Sequence, residues 1–216
     1  MAVQGVKLGF VAIAPAVRGI STHRIPDFQG RHGDRECRSQ VMHCLIAGRT
    51  ALGERVWDMQ RLLDWSLARP DVDSRRVLIM GKSGGGAVTM FAAACDERIS
   101  VAVPSCSFGP TASAGGYLFR CDCNMVPGLM DLGGTPGIVG LAAPRHVLAV
   151  NGRKDPMFSA AEIDRAASPV RAIFAGANTS EHFQHRWGDE AQEFYQRLMW
   201  PFVLVAIPPG GTPRPR

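Results

Sequence analysis

The amino-acid sequence predicts an α/β protein, with a mostly parallel sheet and helices on both of its faces. Short apolar runs alternate along the chain with longer segments whose apolar residues recur at helical spacing. Several short runs contain no polar residue, which is typical of strands buried on both faces. The segments between them are long enough to cross back over a sheet, as parallel strands require.

The strands are predicted from the short apolar runs. They fall at residues 9–15 (GFVAIAP), 76–81 (RVLIMG), 99–106, 145–151 (RHVLAVN) and 170–174. The run at 76–81 is the clearest, because four consecutive apolar residues follow two arginines and end at a glycine. A long polar loop is expected over residues 18–39, after the first strand.

Helices are predicted at residues 49–67, 84–95 and 189–199. In the first of them Leu52, Val56 and Met59 recur at helical spacing, and Pro70 ends the pattern. The second consists mostly of small residues, which allow a helix to pack closely on a sheet. Residues 107–144 are rich in Gly, Pro and Met without a clear period, and we predict that they pass over the strand ends as a wall or lid of the active site.

The composition indicates one globular domain. The 216 residues are 46% hydrophobic and 20% charged, which excludes disordered, fibrous and collagen-like proteins. We place the core at residues 1–206 and expect the tail 207–216 (IPPGGTPRPR) to be disordered. No signal peptide and no stretch long enough to span a bilayer is visible in the chain, so a soluble protein of unknown compartment is expected.

Charge and cysteine content exclude several further classes. The net charge of +5 is spread among acidic residues without a Lys/Arg run, so neither nucleic acid nor a membrane is expected as partner. Six cysteines in a chain of this length do not form a disulfide scaffold. The spacing of Cys121 and Cys123 does not match a CxxC knuckle, so no zinc site, other metal or cofactor is expected. The oligomeric state does not follow from the sequence.

A candidate nucleophile lies between the predicted strand at 76–81 and the helix at 84–95. Residues 81–85 (GKSGG) form a G-x-S-x-G pattern, whose strand–turn–helix context favours a nucleophilic serine over a chance match or a phosphate loop. In such a turn the hydroxyl of Ser83 is presented at the positive end of the helix, and the backbone N–H of Gly84 can stabilise an oxyanion.

A hydroxyl nucleophile needs a base and an acid that orients the base, in the chain order serine, acid, histidine. Asp155 follows the strand at 145–151 and is the candidate acid, although an Asp before Pro is also common in turns. The order leaves two histidines, His182 and His185, which we expect in a loop between the last strand and the terminal helix. Periodicity does not separate them.

These residues resemble the α/β-hydrolases, in particular the acetyl-xylan-esterase-like branch related to dienelactone hydrolases. The resemblance extends over about residues 9–202, and its specific segments include RPDVDSRRVLIMGKSGGG, AACDERISVAVPSCSF, GLAAPRHVLAVNGRKDPMFS and HRWGDEAQEFY. It implies Ser83 as nucleophile, Asp155 as acid and Gly84 as oxyanion donor. In that branch an Arg or Gln and an aromatic residue follow the catalytic His, which implies His185 rather than His182 as the base.

Two departures from the family pattern stand out. Gln184 occupies the place of the Gly that usually precedes the catalytic His. Relatives also carry several strands and a helix ahead of the segment that matches residues 9–15, including the loop that supplies a second oxyanion N–H. Either the chain is a fragment or a mis-started reading frame, or the early strands are lost. We therefore expect an N-terminally truncated hydrolase fold, in which an oxyanion hole with one donor would reduce the activity.

The resemblance implies a serine carboxylester hydrolase that acts on small acyl esters, such as acetyl esters of sugars, through an acyl-enzyme and without a cofactor. A small-molecule or carbohydrate ester is the expected partner. Two alternatives remain open. One is a catalytically impaired hydrolase remnant or binding protein, and the other is a peptidase of the prolyl-oligopeptidase type.

Overall fold

The computed structural model describes residues 1–19, 37–113, 118 and 120–208. Its helices and strands, in chain order, are α1 (Ala2–Lys7), α2 (Arg38–Ile46), α3 (Ala51–Leu67), β1 (Leu78–Lys82), α4 (Gly84–Cys95), β2 (Val101–Ser105), α5 (Gly134–Gly140), β3 (His146–Gly152), α6 (Ala160–Gly176), β4 (Phe183–Gly188) and α7 (Gln196–Ala206). Short 3-10 turns lie at Asp122–Asn124, Leu129–Leu132 and Ser180–His182. The part of the predicted polar loop at residues 20–36 and residues 209–216 of the predicted tail lie outside the described residues.

The four strands form one parallel sheet in the order β1-β2-β3-β4. Gly81 pairs with Pro104, Ser105 with Val150, and Gly152 with Gly188. All four carboxyl ends therefore meet at one edge of the sheet, where parallel α/β folds place their functional residues.

Both faces of the sheet are covered, as the sequence predicts. One face packs against α3, α4, α5 and α6 through a cluster of residues that includes Leu52, Met90, Val139 and Phe174. The other face packs against α7 and the segment after α1, with Val103, Val150, Met199 and Phe10 in contact. The fold is an α/β-hydrolase fold reduced to four strands in the described part of the chain.

Three predicted strands and two predicted helices are confirmed with shifts of at most two residues at each end, as β1, β2, β3, α3 and α4. The position of β1 differs from the expectation of a fully buried central strand. It lies at one edge of the described sheet, and three of its five residues are only partly buried.

Other predicted elements are wrong. Residues 170–174 lie within α6, because Val170 and Phe174 belong to the helical stripe that packs on the core. Residues 9–15 do not pair with the sheet in the described structure. Residues 10–15 instead line a cavity of about 560 Å³ beside α3 and β1. The terminal helix begins at Gln196 rather than near Asp189, and α1, α2, α5 and α6 are additional helices.

Local signals explain where the two long helices begin. The Thr50 hydroxyl accepts a hydrogen bond from the Gly53 N–H at the start of α3. Ser159 and Glu162 form a reciprocal capping box at the start of α6, which satisfies two backbone N–H groups. Among the described residues, no helix is both long and apolar enough to cross a membrane.

Candidate active site

Ser83 occupies the sharp turn between β1 and α4. Its φ of 54° and ψ of −118° lie in a region that L-residues rarely adopt. Such strain persists only where the surrounding structure enforces it, and it is frequent at functional sites. The side chain is partly exposed and makes no capping hydrogen bond to the helix in the described structure, so the hydroxyl is available to a ligand.

Glycines make this turn sterically feasible. A Cβ on Gly81 would overlap the backbone of Gly85, and a Cβ on Gly86 would overlap the Ser107 side chain and crowd the Ser105 carbonyl at 2.9 Å. The first turn of α4 is therefore in direct backbone contact with the end of β1 and close to β2. This close packing requires glycine at both Gly81 and Gly86.

Backbone hydrogen bonds tie the turn to the neighbouring strands. The Ser83 N–H donates to the Ser105 carbonyl over 2.8 Å, and the Cys106 N–H donates to the Val150 carbonyl over 2.7 Å. The N–H groups of the first turn of α4, including that of Gly84, have no acceptor within the helix and can stabilise a negative charge.

Asp155 lies at the same edge of the sheet, in the turn after β3. Its N–H donates to the Gly152 carbonyl over 3.2 Å, and its Oδ1 accepts a hydrogen bond from the Met157 N–H over 3.0 Å. The residue is buried, and its Oδ2 has no hydrogen-bond partner among the described residues. A buried acceptor without a partner is unusual, and this oxygen can accept a hydrogen bond from a further donor.

Comparisons with known proteins assign this chain to a family. The family model for acetyl xylan esterase (AXE1) matches residues 3–110, which include Ser83 and its flanking elements. The chain belongs to the acetyl xylan esterase family. A curated relative, the protein YtaP of Bacillus subtilis (strain 168), carries hydrolase in its name and is 26% identical over 163 residues, which cover 70% of this chain and 53% of YtaP.

Solved structures share the fold of this esterase-family chain. The catalytic domain of the glucuronoyl esterase Cip2_GE from Hypocrea jecorina aligns with a TM-score of 0.61 at 15% identity, over 76% of this chain and 54% of that domain. A glucuronoyl esterase of carbohydrate esterase family 15 from Caldicellulosiruptor kristjansonii aligns with a TM-score of 0.58 at 17% identity, over 72% and 50% of the two chains. The chain thus spans about half the length of the relatives that it matches.

The structure places His185 differently from the expected loop. His185 lies inside β4, where it pairs with Ala149 three residues before the strand ends. Its Nε2 lies 3.1 Å from Asn151 Oδ1, and the Asn151 amide donates to the Phe108 carbonyl over 3.0 Å. Because that second bond fixes the orientation of the amide, Nε2–H of His185 is the donor to Oδ1.

The surroundings of His185 keep its ring neutral. Burial beside Phe108 and Trp187, with ring-centroid distances of 6.1 and 4.9 Å, lowers the pKa of His185 to about 4. No hydrogen bond joins His185 to Ser83 or Asp155 among the described residues, so Asn151 and not the acid orients the ring. The sequence did not indicate Asn151 as a partner.

His182, the alternative base, lies at the amino ends of the strands, on the side of the sheet opposite to Ser83 and Asp155. It precedes β4, its ring stacks 3.8 Å from that of His146 at the start of β3, and its Nδ1 bonds to the Pro144 carbonyl. The expectation that both histidines lie in a loop after the last strand is therefore wrong.

The segment that does follow the last strand is 189–195 (DEAQEFY), which contains no histidine. It crosses the carboxyl ends of the strands and contacts three of them. The Ser105 hydroxyl donates to the Glu193 carbonyl over 3.2 Å, and Lys82 Nζ donates to the Gln192 carbonyl over 3.3 Å. Lys154 Nζ, just after β3, pairs with Glu190 at 2.7 Å. Carboxylates and backbone carbonyls thus occupy the region where the fold normally supplies the base.

The glycine contacts give a first prediction. Gly81→Ala forces a backbone shift at the nucleophile turn, and we expect it to lower the free energy of unfolding by about 1–3 kcal/mol in urea denaturation. Gly85→Ala is the matched control, because no atom lies within 4 Å of its added Cβ. Because alanine favours the helix more than glycine does, Gly85→Ala should leave the free energy of unfolding unchanged or raise it by up to about 1 kcal/mol. Equal losses in the two variants would contradict the close-packing argument.

The environment of His185 gives a second prediction. Its pKa of about 4 in the folded state lies below the ~6.5 of an unfolded histidine, so its contribution to stability is complete above about pH 6.5 and is lost as the pH falls towards 4. Within that window the free energy of unfolding should fall by at most about 1.4 kcal/mol per pH unit on account of this residue.

The check compares urea denaturation of the wild type and His185→Gln at pH values from 7 to about 4. The variant has no imidazole at this position and should show a shallower loss of stability over the same range. Parallel curves for the two proteins would show that His185 is not held neutral by burial.

Proposed function

We propose that this chain is a serine carboxylic-ester hydrolase that acts on small acyl esters, with acetyl esters of sugars as the first class to test. The observation that carries the proposal is the strained backbone of Ser83, which places a partly exposed hydroxyl at the amino end of α4. A chain that needed only a tight turn would place glycine at a positive φ. A serine there favours a chemical role.

In the proposed reaction Ser83 attacks the ester carbonyl and His185 accepts the hydroxyl proton. Asp155 stabilises the imidazolium through its unpartnered Oδ2, and the Gly84 N–H binds the tetrahedral oxyanion. His185 then protonates the departing alcohol, and a water activated by the same ring hydrolyses the acyl-enzyme. This role requires His185 to exchange its hydrogen bond with Asn151 for contacts with Ser83 and Asp155.

The substrate class is supported by the relatives. The matching family model is that of acetyl xylan esterase, and two structural neighbours are glucuronoyl esterases, so both point to esters on carbohydrates. A third neighbour, the methylesterase BT1017, aligns with a TM-score of 0.61 at 21% identity over 74% of this chain and 37% of its own. Acyl or alkyl esters of sugars are therefore the substrates to test before peptides.

A second candidate function is a catalytically impaired hydrolase fold that binds an ester or a sugar without turning it over. The observation that favours it is the hydrogen bond between His185 and Asn151, which engages the imidazole in place of Ser83 or Asp155. The absence of histidine from residues 189–195 points the same way.

The third prediction separates the two candidates. An active enzyme should hydrolyse p-nitrophenyl acetate, and Ser83→Ala should reduce kcat/KM by at least about 10³-fold, because the acyl-enzyme no longer forms. Ser74→Ala, at an exposed serine ahead of β1, is the matched control and should keep the wild-type rate. Equal rates in the wild type and Ser83→Ala would contradict the esterase proposal.

A fluorophosphonate probe adds a measurement that does not depend on the choice of substrate. Labelling of Ser83, located by peptide mass analysis and lost in His185→Gln, would support the triad. A folded protein that the probe does not label would support the impaired fold, because a serine without an oriented base is a weak nucleophile.

A further inference from the structure

Three cysteine thiols from two distant parts of the chain converge. Cys37 begins α2, and Cys121 and Cys123 belong to the short turn that starts the second half of the 107–144 excursion. The three Sγ atoms lie within 4.8 Å of one another, and those of Cys37 and Cys121 are 3.3 Å apart. Eighty-four residues separate Cys37 from Cys121 in the chain, so the spacing of the cysteines gives no indication of this group.

A buried positive charge contacts one of the three thiols. The guanidinium of Arg55, on α3, is only 2% exposed, and its Nη1 donates to Cys123 Sγ over 3.1 Å. Its other donors bond to Gln40 Oε1 and the Arg18 carbonyl, which are both neutral. No carboxylate pairs with this buried guanidinium among the described residues. It therefore needs negative charge nearby, and the adjacent sulfur atoms supply it if they are thiolates.

We propose that Cys37, Cys121 and Cys123 form a binding site for a thiophilic divalent cation, with Zn²⁺ as the ion of best fit. Three thiolates carry a charge of −3, which Zn²⁺ and the guanidinium of Arg55 together neutralise. Cys121 is the partly exposed member of the group, so a water molecule can complete the tetrahedral coordination from the solvent side.

The dimensions agree with this ion. Zn–S bonds of about 2.3 Å in a tetrahedral arrangement place the sulfur atoms about 3.8 Å apart. The Sγ atoms of Cys37 and Cys121 are 3.3 Å apart and no pair is more than 4.8 Å apart, so the three sulfur atoms are close enough together to bind one ion.

The surrounding contacts hold the two segments together. Arg38 and Asp122, each next to a proposed ligand, form an ion pair at 2.6 Å. Cys37 and Cys123 are buried in a small cluster with Cys44 and Ala51. The ion would therefore fasten α2 to the short 3-10 turn at Asp122–Asn124. A disulfide between Cys37 and Cys121 is the rival outcome, but it would use two thiols and leave Arg55 facing an uncharged one.

The fourth prediction tests this site with zinc itself. The full chain, prepared in reductant with zinc and then dialysed against a weak chelator, should retain one equivalent of zinc by elemental analysis. Cys121→Ser, which changes the least buried ligand, should lose the bound zinc. Cys95→Ser, at an exposed cysteine at the end of α4, is the matched control and should retain it.

A thiol titration of the wild type keeps the proposal testable if Cys121→Ser does not fold. Zinc should protect three of the six thiols from a modifying reagent, and a strong chelator should expose them again. A reduced protein that retains no zinc, or a Cys121→Ser variant that retains as much as the wild type, would overturn the proposal. Peptide mass analysis that finds Cys37 joined to Cys121 by a disulfide, in a protein that does not bind zinc, would also overturn the proposal.

Discussion

The close approach of α4 to the ends of β1 and β2 is the constraint on which the candidate site depends. Ser83 adopts a conformation that costs a non-glycine residue roughly 1–3 kcal/mol, and its hydrogen bond to the Ser105 carbonyl together with glycine packing holds it there. Ser105 also donates through its hydroxyl to the Glu193 carbonyl. The end of one strand therefore fixes both the strained turn and the segment that crosses above it.

The elements that build this contact are those that the sequence predicts well. β2, β3 and α4 are buried along most of their length, and β1 and α3 pack apolar side chains against the core, so hydrophobic pattern and local propensity agree along these elements. The placement of Ser83 between β1 and α4 and of Asp155 after β3 follows directly from those elements. The parallel topology then brings both residues to the carboxyl ends of the strands, a proximity that the sequence alone does not show.

The elements that the sequence does not predict are those fixed by tertiary contacts. Val170 and Phe174 form an apolar run short enough for a strand, yet they continue the helical stripe of Ile163 and Ala167. In β4 only the first and last residues are fully buried, and the partly buried residues between them include Gln184, His185 and Arg186, a polar composition typical of a loop. The convergence of Cys37 with two thiols in the excursion depends on how α2 packs, which spacing rules for neighbouring cysteines do not address.

The end of β4 matters most for the chemistry. Because the strand continues to Gly188, His185 lies within the sheet and its ring bonds to Asn151, with no bond to Ser83 or Asp155 among the described residues. Burial there favours the neutral imidazole, which can accept a proton, but the low pKa that burial produces makes it a weak base. Contact with Asp155 would raise that pKa, since a nearby carboxylate stabilises the imidazolium. In the proposed mechanism, one exchange of partner at His185 would therefore set both the position and the strength of the base, and with them the activity.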